Sequence, residues 1–146
     1  MKLLLLLLSF IPFQVSAPVY SSKEIYIIKS EPVHFSGFDY QSFVSEVTRK
    51  CHHSDILIRQ VILEQGQDFS GRFLRERNNL WNFQAWNKKM KDYKVLYFPS
   101  IDSCISYMAD FQKRKYRKGE NYYSFLKRVH FAKDKNYVHK LKNIKL

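Results

Sequence analysis

A chain of 146 residues has room for one hydrophobic core and not comfortably for two. Aromatic residues make up 16%, with ten Tyr and twelve Phe against only four Gly, which excludes a disordered or low-complexity chain. Lys and Arg number 25 against 13 Asp and Glu, a formal charge of +12, and so basic a balance favours anionic partners: nucleic acid, lipid headgroups or cell-wall polymers.

Residues 1–17, MKLLLLLLSFIPFQVSA, read as a signal peptide. Lys2 precedes six leucines, and Val15-Ser16-Ala17 has the small-residue pattern that precedes a signal-peptidase cut. The apolar run is too short for a typical membrane-spanning helix. Pro18 is a poor first mature residue, so the cut is expected within a residue or two of Ala17. Export to the periplasm or the extracellular space follows, and few nucleic-acid targets lie there, so no nucleic acid is expected as a partner.

Residues 18–37 form an N-terminal leader with one β-like run, EIYIIK, closed by Pro32 and Ser36-Gly37. From residue 38 to 146 the pattern predicts one mainly helical α+β domain. Phe43, Val44 and Val47 share a helical face. His52-His53 interrupts it, and Ser54 or Asp55 is suited to cap the next helix, about Ile56 to Gln65, with Leu57, Ile58, Val61 and Ile62 on one face and Gly66 as the stop. RFLRERNN reads as a short helix or turn. Residues 86–99, WNKKMKDYKVLYFP, read as a small β-hairpin or loop. Ser100-Ile101-Asp102 can cap a helix with Ile101, Ile105, Met108 and Phe111 as its stripe, and two further helices are expected near YYSFLKRV and NYVHKLKNI.

Cys51 and Cys104 are compatible with a disulfide in an oxidising compartment, and equally with two free thiols; their spacing fits no metal motif. His52 and His53 point in different directions on any regular element, with no acid or cysteine at usable spacing, so no metal and no cofactor is expected. Twelve Lys and Arg lie between Phe111 and Leu146 against Glu120 and Asp134, and this basic C-terminal third is suited to peripheral contact with anionic surfaces.

Glu64 lies three residues after Val61 and seven after Leu57, bordering the apolar face of its helix. A carboxyl held against apolar side chains loses hydration in its charged form, so its pKa rises and it can keep a proton to donate to a leaving-group oxygen. An ordinary solvated glutamate near a helix end is the plainer alternative.

The stretches VILEQGQD and NNLWNF, separated by a short segment, resemble the glucosaminidase family of bacterial cell-wall hydrolases, of the endo-β-N-acetylglucosaminidase type, whose usual pattern is AILESGWG followed by NNLFG. YFPSIDSCISYMADF and NYYSFLKRVHFAKDKNYVHKLKNI are similar to later motifs of that family, in the same order, and HHSDILIRQVILEQG to the start of its catalytic helix. The resemblance spans residues 38–146 and implies a lysozyme-like fold with a small β-hairpin or loop lobe.

It also implies roles. Glu64 takes the place of the general acid that protonates a β-1,4 glycosidic oxygen next to N-acetylglucosamine. Asn78 and Asn79 match the asparagine pair behind the site, and Trp81 the cleft aromatic that packs on a sugar face. Asn79, Trp81, Tyr97 and Phe131 are the expected substrate-binding positions. Asp92 is the one acid between Trp81 and Pro99 and so the candidate second catalytic carboxylate. Asp134 and Tyr137 match the terminal motif in structural roles. Gln65, Gln67, Asn82 and Phe131 depart from the pattern; Phe131 stands where a tyrosine hydroxyl is usual, and Asn82 where glycine is common. The implied function is that of an exported hydrolase acting on peptidoglycan or another anionic cell-wall glycan. A wall-binding module without turnover, a lytic transglycosylase, and a basic secreted protein acting on membranes or nucleic acid are the alternatives.

Overall fold

The computed structural model describes residues 37–146. The expected signal peptide and the expected leader with its EIYIIK run lie outside the described residues, apart from Gly37. Six helices and one hairpin follow in order: α1 (Tyr40–Lys50), α2 (Ser54–Gln65), α3 (Arg72–Arg77), β1 (Gln84–Asn87), β2 (Asp92–Val95), α4 (Ile101–Lys115), α5 (Tyr122–Arg128) and α6 (Tyr137–Asn143). The architecture is α+β, mainly helical, with a two-stranded antiparallel sheet. Among the described residues no helix is long and apolar enough to cross a membrane.

Local chemistry explains most boundaries. The Asp39 carboxylate accepts from the backbone N–H groups of Gln41 and Ser42 and starts α1. Ser100 and Ser103 form a reciprocal capping box at α4, and Asn121 caps α5. The start of α2 differs from expectation. Ser54 is its first helical residue, and the N-cap position falls to His53, in the left-handed region at φ 56° with no side-chain cap. Tertiary contacts replace the local cap. Gln112 of α4 brackets the His52 backbone, accepting from its N–H at 2.9 Å and donating to its carbonyl at 2.8 Å, while His53 Nε2 meets the Tyr116 hydroxyl at 2.7 Å.

Helix α2 lies at the centre, packed by α1, α3 and α6, while α1 also packs on α4. Leu57 and Val61 of α2 are fully buried, together with Val47, Leu74, Leu80, Cys104, Met108, Phe125 and Leu141. The α4 stripe shifts slightly from the expected one. Ile105 and Met108 are buried as foreseen, Ile101 and Phe111 only partly, and Cys104 and Gln112 complete the inner face. Cys51 and Cys104 are free thiols in this structure.

Candidate functional site

Glu64 occupies the last turn of α2, and the helix stops two residues later at Gly66, whose φ of 83° is costly for any residue with a Cβ. The carboxyl is partly buried and held on both oxygens. Asn82 Nδ2 donates to Oε2 at 2.6 Å, and the Tyr137 hydroxyl donates to Oε1 at 3.0 Å. Burial pushes its pKa above the ordinary glutamate value; the two donors pull the other way and offset only part of the rise.

Each partner is itself positioned. Asn82 sits in the left-handed region at φ 52°, a conformation asparagine tolerates better than most residues. Its Oδ1 accepts from Gln65 Nε2 at 3.0 Å, leaving its amide N–H₂ to face Glu64. The same Gln65 nitrogen donates to the carbonyls of Asn79 and Leu80 at 3.0 and 2.8 Å. Gln65 therefore staples the end of α2 to the turn carrying Asn82. Gly71 is required by this staple: a Cβ there would lie 2.0 Å from Gln65 Oε1 and 2.9 Å from Gln65 Cα.

On the other side, Tyr137 is buried at the start of α6, and its hydroxyl accepts from Gln60 Nε2 at 3.2 Å while donating to Glu64. Burial, with the Glu64 charge beside it, raises the phenol pKa, so Tyr137 remains a neutral donor. Gln60 is fully buried one helical turn before Glu64, and its Oε1 has no hydrogen-bond partner.

The other expected site residues divide. Asn79 is fully buried and serves the backbone: its Nδ2 donates to the carbonyls of Phe83 and Leu96, and its Oδ1 accepts from the Phe83 N–H. Asn78 ends α3 in the left-handed region and donates to the Phe98 carbonyl. These asparagines anchor the hairpin root and do not present amides to a ligand.

Trp81 corrects the expectation of a cleft ring. It is 2% exposed, packs near Phe43 and Phe83, and its indole N–H donates to the Leu57 carbonyl. The turn that aims Asn82 at Glu64 sends the preceding side chain into the core, so Trp81 offers no face to a sugar. Phe131 is partly buried in an aromatic cluster with Phe83, Phe111 and Tyr137. The hydroxyl that meets Glu64 comes from Tyr137. Tyr97 is partly buried between Leu96, held by Asn79, and the buried Phe98.

Asp92 is exposed at the turn end of the hairpin, opposite Asn87, and accepts from the Tyr93 N–H. At ~3.3 Å per residue it lies roughly 13 Å along the strand from Leu96, where Asn79 anchors the hairpin. Glu64 and Asp92 therefore do not share a hydrogen-bonded cluster. Of the remaining nearby acids, Asp68 accepts from Ser70 and Glu76 pairs with Arg72. Asp134 caps the Asn136 N–H and pairs with Lys140, a structural role as expected. A depression of about 300 Å³ beside the α5–α6 loop is lined by Lys127, His130, Lys133, Asp134, Lys135 and Tyr137 among others.

Sequence reasoning missed three contributors: Gln60, Asn82 as a direct partner, and Tyr137. The spacing signal for Gln60 is its position one turn before Glu64. The signal for Asn82 is an asparagine at a glycine-like position. Tyr137 matches the terminal motif only in a structural role, and at 73 residues from Glu64 no spacing signal joins the two.

No family model, no curated protein and no solved structure matches this chain.

Proposed function

We propose that this chain is an exported glycosidase of the lysozyme-like class acting on peptidoglycan, with Glu64 as the general acid that protonates a β-1,4 glycosidic oxygen. The observation that carries this reading is a partly buried carboxyl gripped on both oxygens by neutral donors, with its pKa pushed upward by burial. An acid in such a setting keeps its proton at higher pH than a solvated glutamate and delivers it from a fixed position. The resemblance of VILEQGQD and NNLWNF to the glucosaminidase motifs supports the substrate class, and the basic C-terminal third suits an anionic wall.

A second reading is favoured by the place of Asp92. Paired-carboxylate hydrolysis uses groups roughly 5–9.5 Å apart. The hydrogen bonds around Glu64 come from Asn82 and Tyr137, and Asp92 stands at the far end of the hairpin. A single-acid route therefore competes: lytic transglycosylation, or hydrolysis assisted by the substrate's own N-acetyl group.

The experiment is digestion of purified peptidoglycan with mass spectrometry of the fragments, alongside Glu64→Gln and Asp92→Asn. New reducing N-acetylglucosamine ends, lost in Glu64→Gln, are the expected result. Anhydro-muramic ends identify the transglycosylase. Intact wall with the wild-type protein retained on it overturns catalysis and leaves a binding module. Asp92→Asn is expected to keep most of the turnover under the single-acid route and to lose it if Asp92 is the partner carboxylate.

A further inference from the structure

Four large hydrophobic side chains are well exposed among the described residues, and three of them share one hairpin: Trp86 at 42%, Met90 at 59% and Tyr93 at 51%. Trp86 and Tyr93 are directly opposed across the β1–β2 ladder, so both rings project from the same face, 5.1 Å apart and edge-to-face. Met90 sits in the connecting turn. That turn is held in shape by Asn87, whose Oδ1 accepts from the backbone N–H groups of Lys89 and Met90. Lys88, Lys89 and Lys91 share the turn with Met90, Lys94 lies on the other face of the hairpin opposite Ala85, and Asp92 is the single opposing charge on the hairpin. Lys133, from the α5–α6 loop, places its ammonium 5.5 Å from the Tyr93 ring centre.

We propose that the hairpin tip is a docking surface for anionic phospholipid bilayers. Tryptophan and tyrosine have an apolar body and a polar tip, which suits the headgroup boundary, and an unbranched methionine can enter the acyl edge. Lysines flanking such a group meet the negative surface potential while the apolar side chains leave water, the two signals that peripheral binding needs.

The alternatives fit less well. A sugar stacks on a free flat ring, yet Tyr93 already carries Lys133 against its ring and meets Trp86 edge-to-face; Met90 would have no part in it. A second copy of the chain would bring its own turn lysines, Lys88, Lys89 and Lys91, against the first three. Docking by the tip leaves the other end of the hairpin, where Asn82 meets Glu64, away from the lipid. The proposal stands whether or not Glu64 is catalytic.

Co-sedimentation of the intact protein with phosphatidylcholine vesicles, with and without phosphatidylglycerol, tests it. Binding is expected only with the anionic lipid, together with a blue shift of tryptophan emission arising from Trp86, since Trp81 is already buried. Trp86→Ser and Met90→Ser are each expected to weaken binding about tenfold, and each of Lys88→Gln and Lys89→Gln about fivefold. All four sites are exposed, and circular dichroism is expected to stay unchanged. Absence of binding to anionic vesicles overturns the proposal. So does binding that ignores the hairpin substitutions, which would place the contact on the basic C-terminal third, and so does Trp86-dependent retention on wall glycan without vesicle binding.

Discussion

At Glu64 the opposing influences on one proton are all visible: burial favours the neutral acid, and the donors Tyr137 and Asn82 favour the anion. The sign of the pH effect follows. Below about 4.5, the ordinary glutamate value, folded and unfolded chains both hold the proton and the site costs nothing. As pH rises from there through the elevated folded pKa, the unfolded chain releases its proton first, and stability declines. Thermal melts across this window are expected to show wild type losing ground steadily to Glu64→Gln. Removing either donor should move the titration upward. Tyr137→Phe removes a donor to the anion and raises the Glu64 pKa further, while stranding the Gln60 amide N–H₂ at a cost of ~1–3 kcal/mol in chemical denaturation. Carboxyl titration by NMR in this variant checks the upward shift.

Elements divide into those written locally and those written by their neighbours. The Ser100 cap, the Gly66 stop and the apolar face of α2 were readable from spacing, as was the edge position of Glu64, because each depends on residues within a turn or two. The His53 start of α2 was not, since its stabilisation comes from Gln112 and Tyr116 across the fold. Trp81 failed for a related reason: motif similarity identifies a position, but whether a ring faces core or cleft depends on the turn that aims Asn82. The junction of α2 and α3 is the most constrained of these elements. Gly71→Ala should push the Gln65 side chain off the Asn79 and Leu80 carbonyls and release Asn82, destabilising by ~1–3 kcal/mol. The double variant Gly71→Ala/Gln65→Ala should recover only part of that in denaturant titration, because the contact with the Gln65 Cα persists.

Across the whole molecule, charge and connectivity set the behaviour. Both acids of the C-terminal third are already engaged, Glu120 with Arg128 and Asp134 with Lys140, so most of its twelve cations face outward without an acid of their own segment. Retention on an anionic wall should weaken steeply with added salt, because exposed charges are screened beyond about 10 Å at 0.1 M ionic strength. Pull-down from purified wall over a salt series measures this, and a flat profile would place the attachment elsewhere. The bond from Tyr137 to Glu64 also ties α6 to the end of α2. Glu64 precedes Asn82 by 18 residues and Tyr137 by 73, so its second donor arrives from a helix far along the chain. The two donors that hold this carboxyl are thus drawn from distant stretches of the chain, and the pair is complete only where both stretches are folded together.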